Sequence, residues 1–212
     1  MIIPGNNLWP LKLVSVLYNL AANSTSNFNL TLHTRTPVTS IAPVSNASAS
    51  AGSGRRWALQ TPRGEVACSY VLHATNAYAA HLLPFLHGPQ GIVPTRGQVM
   101  ALRAITPDAL GREGFIGNDG FEYWFPRQRR SASGGAPDGA DSTEENQLVI
   151  LGGGREATRD GGYEFYETDD SVVSAEVSDV LRRFLPRVFP GRFDEDERRV
   201  EMEWVRVLHS FF

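Results

Sequence analysis

A single cysteine, Cys68, in 212 residues excludes an internal disulfide and any metal site built on several thiolates. Its place in Glu65-Val-Ala-Cys-Ser-Tyr-Val reads as an ordinary strand position. Long hydrophobic runs are missing too. No apolar stretch approaches the ~20 residues that a membrane-spanning helix needs, so no membrane association is expected. The start Met1-Ile-Ile-Pro-Gly-Asn-Asn has neither a basic region nor a sustained apolar core and does not read as a secretory signal. The glycosylation triplets beginning at Asn23, Asn29 and Asn46 are then coincidental, and a soluble cytoplasmic protein is the expectation. Positive charge is not in excess: 20 Lys and Arg stand against 23 Asp and Glu, a formal net charge of -3. That balance gives no footprint for nucleic acid, and the local group Arg127, Arg129 and Arg130 reads as a solvated loop face. There is no Gly-x-Ser-x-Gly elbow to support hydrolase chemistry, and no internal repeat.

What is present suffices for a core: 42% of residues are hydrophobic and 10% aromatic, enough for one large or two small domains. Trp9-Pro10 opens a helix with proline in its first turn, and Leu13, Val16, Leu17 and Leu20 fall on one face. Asn29-Leu-Thr-Leu-His-Thr alternates as a strand, with His33 on its polar side as a surface histidine. Thr36 to Val44 resumes extended structure with prolines near its ends, as an edge or crossover strand does. Ser45 to Gly54 is low in complexity and reads as a loop. Trp57 to Leu72 reads as two strands joined by the turn Thr61-Pro-Arg-Gly.

The second of these strands delivers the stretch around which the chain is organised. Tyr70, Val71 and Leu72 form a buried strand end, His73-Ala74-Thr75 leaves the sheet, Asn76 caps the following helix, and Ile92 to Leu102 is a second strand. A helix N-terminus at the carboxyl end of a strand favours an anionic group such as a pyrophosphate. Later strands are Phe121-Glu-Tyr-Trp-Phe-Pro, Gln147-Leu-Val-Ile-Leu and Arg198 to Leu208. Between the first two, Arg130 to Asn146 is a polar insertion. Asp169-Asp-Ser caps a helix with an apolar face of Val173, Val177, Val180, Leu181 and Phe184, limited by Pro186 or Pro190.

Several positions are candidates for chemistry, each with a plainer reading beside it. Gly152-Gly-Gly-Arg after a strand can cradle a phosphate or simply admit close backbone approach; it is not a Gly-x-Gly-x-x-Gly fingerprint and lacks a P-loop lysine. Asp169 and Asp170 suit a helix cap better than a metal, and no metal site is expected. Tyr123 and Trp124 can wall a pocket or fill a core. Arg96 can anchor a substrate carboxylate or pair with a structural acid.

Taken together, these words resemble the FAD-dependent oxidoreductases of the D-amino-acid-oxidase type, which include glycine and sarcosine oxidases, and most closely the fungal members. The residues that carry the resemblance are Leu8-Trp-Pro-Leu-Lys-Leu-Val, Thr36-Pro-Val-Thr-Ser-Ile, Val71-Leu-His-Ala-Thr-Asn-Ala-Tyr-Ala, Pro94-Thr-Arg-Gly-Gln-Val, Glu122-Tyr-Trp, Leu151-Gly-Gly-Gly-Arg and Asp169-Asp-Ser. The resemblance implies an α+β chain: part of an α/β FAD-binding domain over residues 1–91, a mixed, largely antiparallel substrate-domain sheet over 92–200, and a truncated return strand over 201–212. It implies FAD as cofactor, with Val38 near the adenine side and Ala74, Thr75 and Asn76 near the diphosphate or ribose. Arg96, Tyr123 and Trp124 would lie towards flavin and substrate, a small amine or amino acid oxidised by hydride transfer to the flavin.

The chain departs from the family pattern at both ends. It carries no opening strand with Gly-x-Gly-x-x-Gly and no acidic ribose ligand after it, and Val205-Arg-Val-Leu-His-Ser-Phe-Phe stands where a glycine-rich passage would lead to a closing FAD segment. The expectation is a central fragment, from a truncated or misread gene, that is inactive alone and does not hold FAD tightly. The alternative is a non-catalytic α+β interaction module that has lost the cofactor site.

Overall fold

The computed structural model describes residues 8–24, 29–44, 54–118, 121–127, 146–158 and 163–210. The expected loop at 45–53 and most of the expected insertion at 130–146 lie outside them, as do Arg129 and Arg130. The chain divides into two compact units, Met1–Val71 and Leu72–Phe212. Among the described residues there are three α-helices and two antiparallel sheets, an α+β composition.

In the first unit, helix α1 spans Pro10–Ala22 with proline at its first turn, and none of its residues is buried. The apolar stripe foreseen from Leu13, Val16, Leu17 and Leu20 is therefore exposed. Strands β1 (Ser40–Pro43), β2 (Trp57–Thr61) and β3 (Gly64–Cys68) form a three-stranded antiparallel meander. Pro43 sits on the edge strand β1, where a missing amide costs no ladder bond. The β2–β3 turn falls at Pro62-Arg63, and Gly64 closes it at φ +116°. Residues 29–33 alternate in sequence but join no sheet, and Leu32 is 60% exposed. Alternation predicts a strand only where a neighbouring strand supplies the ladder, and none of the described strands does.

The second unit holds a five-stranded antiparallel sheet in the order β5-β6-β7-β4-β8. Its strands are β4 (Val93–Arg103), β5 (Phe115–Gly117), β6 (Glu122–Pro126), β7 (Leu148–Gly153) and β8 (Val200–Ser210). The eleven-residue β4 is flanked by β7 on one side and β8 on the other. Before it come a 3-10 turn at Asn76–Tyr78, the short helix α2 (Ala79–Leu82) and a second turn at Pro84–Leu86.

Helix α3 (Ala175–Val188) packs on one face of this sheet. Its buried residues Val177, Leu181 and Leu185 recur every fourth position, one stripe of a helix. They meet Met100, Leu102, Trp124, Val149 and Leu151 from the sheet. Burying each such side chain contributes about 1.5–3 kcal/mol. The helix cap is Ser174, whose hydroxyl accepts from Val177 N. The expected cap at Asp169 is corrected: Asp169 accepts from the amide and hydroxyl of Ser171 and closes a local turn ahead of the helix. Pro186 lies inside the last turn, and the helix ends before Pro190.

Gln98 locks helix to sheet. Its Nε2 donates to Ser174 O (3.1 Å), Ser178 Oγ (2.9 Å) and Glu203 Oε1 (2.7 Å), and its Oε1 accepts from Ser174 N (2.8 Å). A buried amide that makes all these bonds fixes the register of β4, β8 and α3 at one point.

Candidate functional site

The stretch 70–76 differs from its sequence reading. Strand β3 stops at Cys68, no described strand pairs with residues 70–75, and Tyr70 and Leu72 are 83% and 92% exposed. An apolar run is buried only where other layers cover it, and no described element covers this one. Asn76 does not cap a helix. It is the first residue of the 3-10 turn at φ +49°, the residue before it is Thr75, and no side chain caps the turn.

This segment nevertheless builds a recess of about 290 Å³ lined by His73, Thr75, Asn76, Ala79, Leu83, Leu86 and Ile92. Its close walls depend on Gly91, where a Cβ would lie 2.1 Å from Leu86 O. The Thr75 hydroxyl oxygen is buried there and has no hydrogen-bond partner. An unpaired buried hydroxyl costs about 1–3 kcal/mol, and the walls of the recess are mostly apolar. Its volume suits part of a large cofactor rather than all of it. The turn packs against β4 and β8, and Tyr78 donates to Asp170 (3.3 Å), which with burial raises the tyrosine pKa. Ala74 is exposed beside the recess. Val38 lies in the first unit, half-buried just before β1.

Tyr123 and Trp124 are neighbours on β6 and so point to opposite faces of the sheet. Trp124 is 6% exposed and packs into the helix-side core against Phe115, Phe184 and Phe189, with ring centroids 5.5, 5.1 and 6.2 Å away. Tyr123 lies on the other face, folded over Gly152, where a Cβ would come within 2.4 Å of its ring. Burial raises the Tyr123 pKa and the nearby Arg206 opposes the shift.

Register builds the rest of that face. Tyr123, Gly152, Val99 and Trp204 form one row across β6, β7, β4 and β8, and Gly97 pairs with Arg206 in the next. Among the described residues, Arg206 O and Leu208 Cδ1 alone lie within 4 Å of where a Gly97 Cβ would be. The result is a hollow over glycine, rimmed by Tyr123, Val99, Trp204 and Arg206. Arg206 is exposed and has no carboxylate or hydrogen-bond partner among the described residues.

Arg96, the arginine singled out in the sequence, is already engaged. Its Nε pairs with Glu164, and its Nη1 donates to Asp169 O (3.1 Å) and Val172 O (3.3 Å). It pins the segment 164–172 to β4, which is also joined there by Arg96 N to Glu164 O and Tyr166 N to Pro94 O. Arg206 was missed because its position means something only once β8 is paired with β4. The signal available in the sequence was its place on the outward phase of the final alternation.

The three glycines at the end of β7 each permit a close approach. Gly152 admits the Tyr123 ring, Gly153 (φ +139°) lets β7 run 2.4 Å from Phe121 O at the Cβ position, and Gly154 (φ +73°) faces Val177, Val180 and Leu181. Close approach accounts for all three.

The family described as FAD dependent oxidoreductase (DAO) matches residues 9–208, and the chain belongs to it. Among solved structures, glycine oxidase from Bacillus cereus ATCC 14579 is similar at 16% identity and a TM-score of 0.48, with 81% of this chain and 36% of that one covered. The chain thus spans little more than a third of that structure's length. No curated protein matches. Among the described residues no helix is long and apolar enough to cross a membrane.

Proposed function

We propose that this chain supplies the substrate-facing sheet and part of the cofactor contact of an FAD-dependent oxidoreductase that acts on a small amine or amino acid. The observation that carries the reading is the open face of the five-stranded sheet, where Arg206 has no carboxylate or hydrogen-bond partner among the described residues and Tyr123 lies over Gly152. When bound, FAD accepts a hydride from the carbon that bears the amine. The guanidinium of Arg206 offers paired N–H donors to a substrate carboxylate, and Tyr123 and Trp204 flank the hollow as aromatic walls. Thr75 supplies a hydroxyl to a polar part of the cofactor, while Leu83, Leu86 and Ile92 keep water from that bond. The sequence contains no Gly-x-Gly-x-x-Gly to hold a diphosphate from the other side, so the 212-residue chain is inactive alone and binds FAD weakly.

Flavin fluorescence in an FAD titration tests this cofactor contact. The expected result is weak, saturable binding that Thr75→Val weakens about tenfold, the effect of one buried hydrogen bond. A yellow, stoichiometric complex surviving purification would contradict the incomplete site. Equal binding by Thr75→Val would contradict the recess as a cofactor contact.

A further inference from the structure

We infer that the outer edge of β8 pairs with β8 of a second copy of this chain, antiparallel and about a twofold axis at Val205, so that two five-stranded sheets join into one. β8 ends the sheet order, with β4 on one side and no described strand on the other. A long edge strand invites pairing unless proline, lysine or a bulge blocks it. From Met202 to Leu208 the strand holds no proline, glycine or lysine, and its register shift against β4 falls at Glu201, before this stretch.

The ladder of β4 determines which backbone groups of β8 face outward. Thr95 pairs with Leu208 on one side and with Phe165 on the other. On that other side Arg96 N donates to Glu164 O, Tyr166 N to Pro94 O and Ala104 N to Gln147 O. The even-numbered residues of β4 thus turn their polar groups away from β8, and the odd-numbered ones turn toward it. Thr95, Gly97, Val99 and Ala101 pair with Leu208, Arg206, Trp204 and Met202, whose amides and carbonyls are therefore spent on β4. Those of Glu203, Val205 and Val207 point outward and have no partner among the described residues. The 3-10 turn Asn76–Tyr78 touches both β4 and β8, so it lies over a face of the sheet and not along this edge.

The side chains select the partner and the register. Only residues with outward backbone groups can exchange ladder bonds, so odd-numbered positions must meet odd-numbered positions. With the axis at Val205, that residue meets its own copy and Glu203 meets the partner's Val207. The pairs between them, where side chains come closest, are Trp204 with the partner's Arg206 and Met202 with the partner's Leu208. All four belong to the open face, on which Met202 is 62% exposed, Leu208 50% exposed and Arg206 exposed. A guanidinium against an indole face is a favourable cross-strand pair, and the two apolar side chains cover each other. Moved one residue either way, the axis sets Arg206 against its own copy or against Met202. The pairing also brings the partner's Trp204 beside the Arg206 that rims the hollow, and stacking leaves the N–H edge of the guanidinium free.

Sedimentation equilibrium of the full chain from about 1 to 100 µM, with amide hydrogen exchange, tests the pairing by assembly and not by FAD or amine binding. The wild type is expected to pass from monomer to dimer across that range, with the amides of Glu203, Val205 and Val207 protected only in the dimer. Met202→Lys combined with Leu208→Lys sets like charges opposite each other and should weaken the dimer about tenfold or more. Met202→Glu combined with Leu208→Lys sets opposite charges there and should restore it. A wild type that stays monomeric, an equally strong dimer of the double-lysine chain, or no recovery in the Glu and Lys chain would overturn the inference. Should the double-lysine chain fail to fold, wild-type exchange at Val205 that does not change with concentration would do the same.

Discussion

The two faces of the five-stranded sheet are made by alternate residues of the same strands, yet they do different work. The helix side carries Met100, Leu102, Trp124, Val149 and Leu151 under α3 and is closed. The other side carries Tyr123, Arg206 and Leu208 in the open around Gly97, with Leu208 50% exposed. Dense packing on one face holds β4, β7 and β8 rigidly, and a rigid sheet can present a few side chains on the other face at fixed spacing. Folding strength thus resides in one phase of the alternation, and the function proposed above draws on the other.

Truncation in the closed face has the largest expected effect. Leu181 is fully buried, and Leu181→Ala should cost about 3 kcal/mol in urea unfolding. A loss below about 1 kcal/mol would mean that α3 is not seated as described. The second substitution crosses between the faces. Gly152→Ala puts a methyl group where the Tyr123 ring now lies, at a cost of about 1–2 kcal/mol. It should also return the Tyr123 hydroxyl pKa toward its ordinary value, read by ultraviolet titration, because the displaced ring loses the burial that raises it. An unchanged titration would separate Tyr123 from Gly152. The smallest effect belongs to the open face: Arg206→Gln should change stability by no more than about 0.5 kcal/mol.

The sheet was legible in the sequence where alternation and burial coincide. β6 falls within its segment read as a strand, and β4, β7 and β8 overlap theirs and run one or two residues further; of the stripe read for α3, Val177, Val180, Leu181 and Phe184 lie on the helix, whereas Val173 precedes it and is 42% exposed. Two kinds of feature were not legible. Tyr70 to Leu72 and residues 29–33 have the local pattern of strands without a pairing partner among the described residues, and pattern alone cannot supply one. The site was only half visible for a related reason. Tyr123 and Trp124 look equivalent in sequence, and which of them faces the core depends on the phase of β6 relative to α3. Arg96 stood out as an arginine in an apolar strand, but its partners Glu164, Asp169 and Val172 are more than sixty residues away.

That contrast sets the most direct test: titration of wild type, Arg206→Gln and Arg96→Gln with N-methylglycine and with dimethylamine, followed by tryptophan fluorescence, since Trp204 borders the hollow. The account predicts that only the carboxylate-bearing amine perturbs the wild type. Arg206→Gln should weaken that response about tenfold or more, the worth of one charge-assisted contact, whereas folded Arg96→Gln should retain it. Retention by Arg206→Gln with loss in Arg96→Gln would place the carboxylate on the helix side and contradict the account.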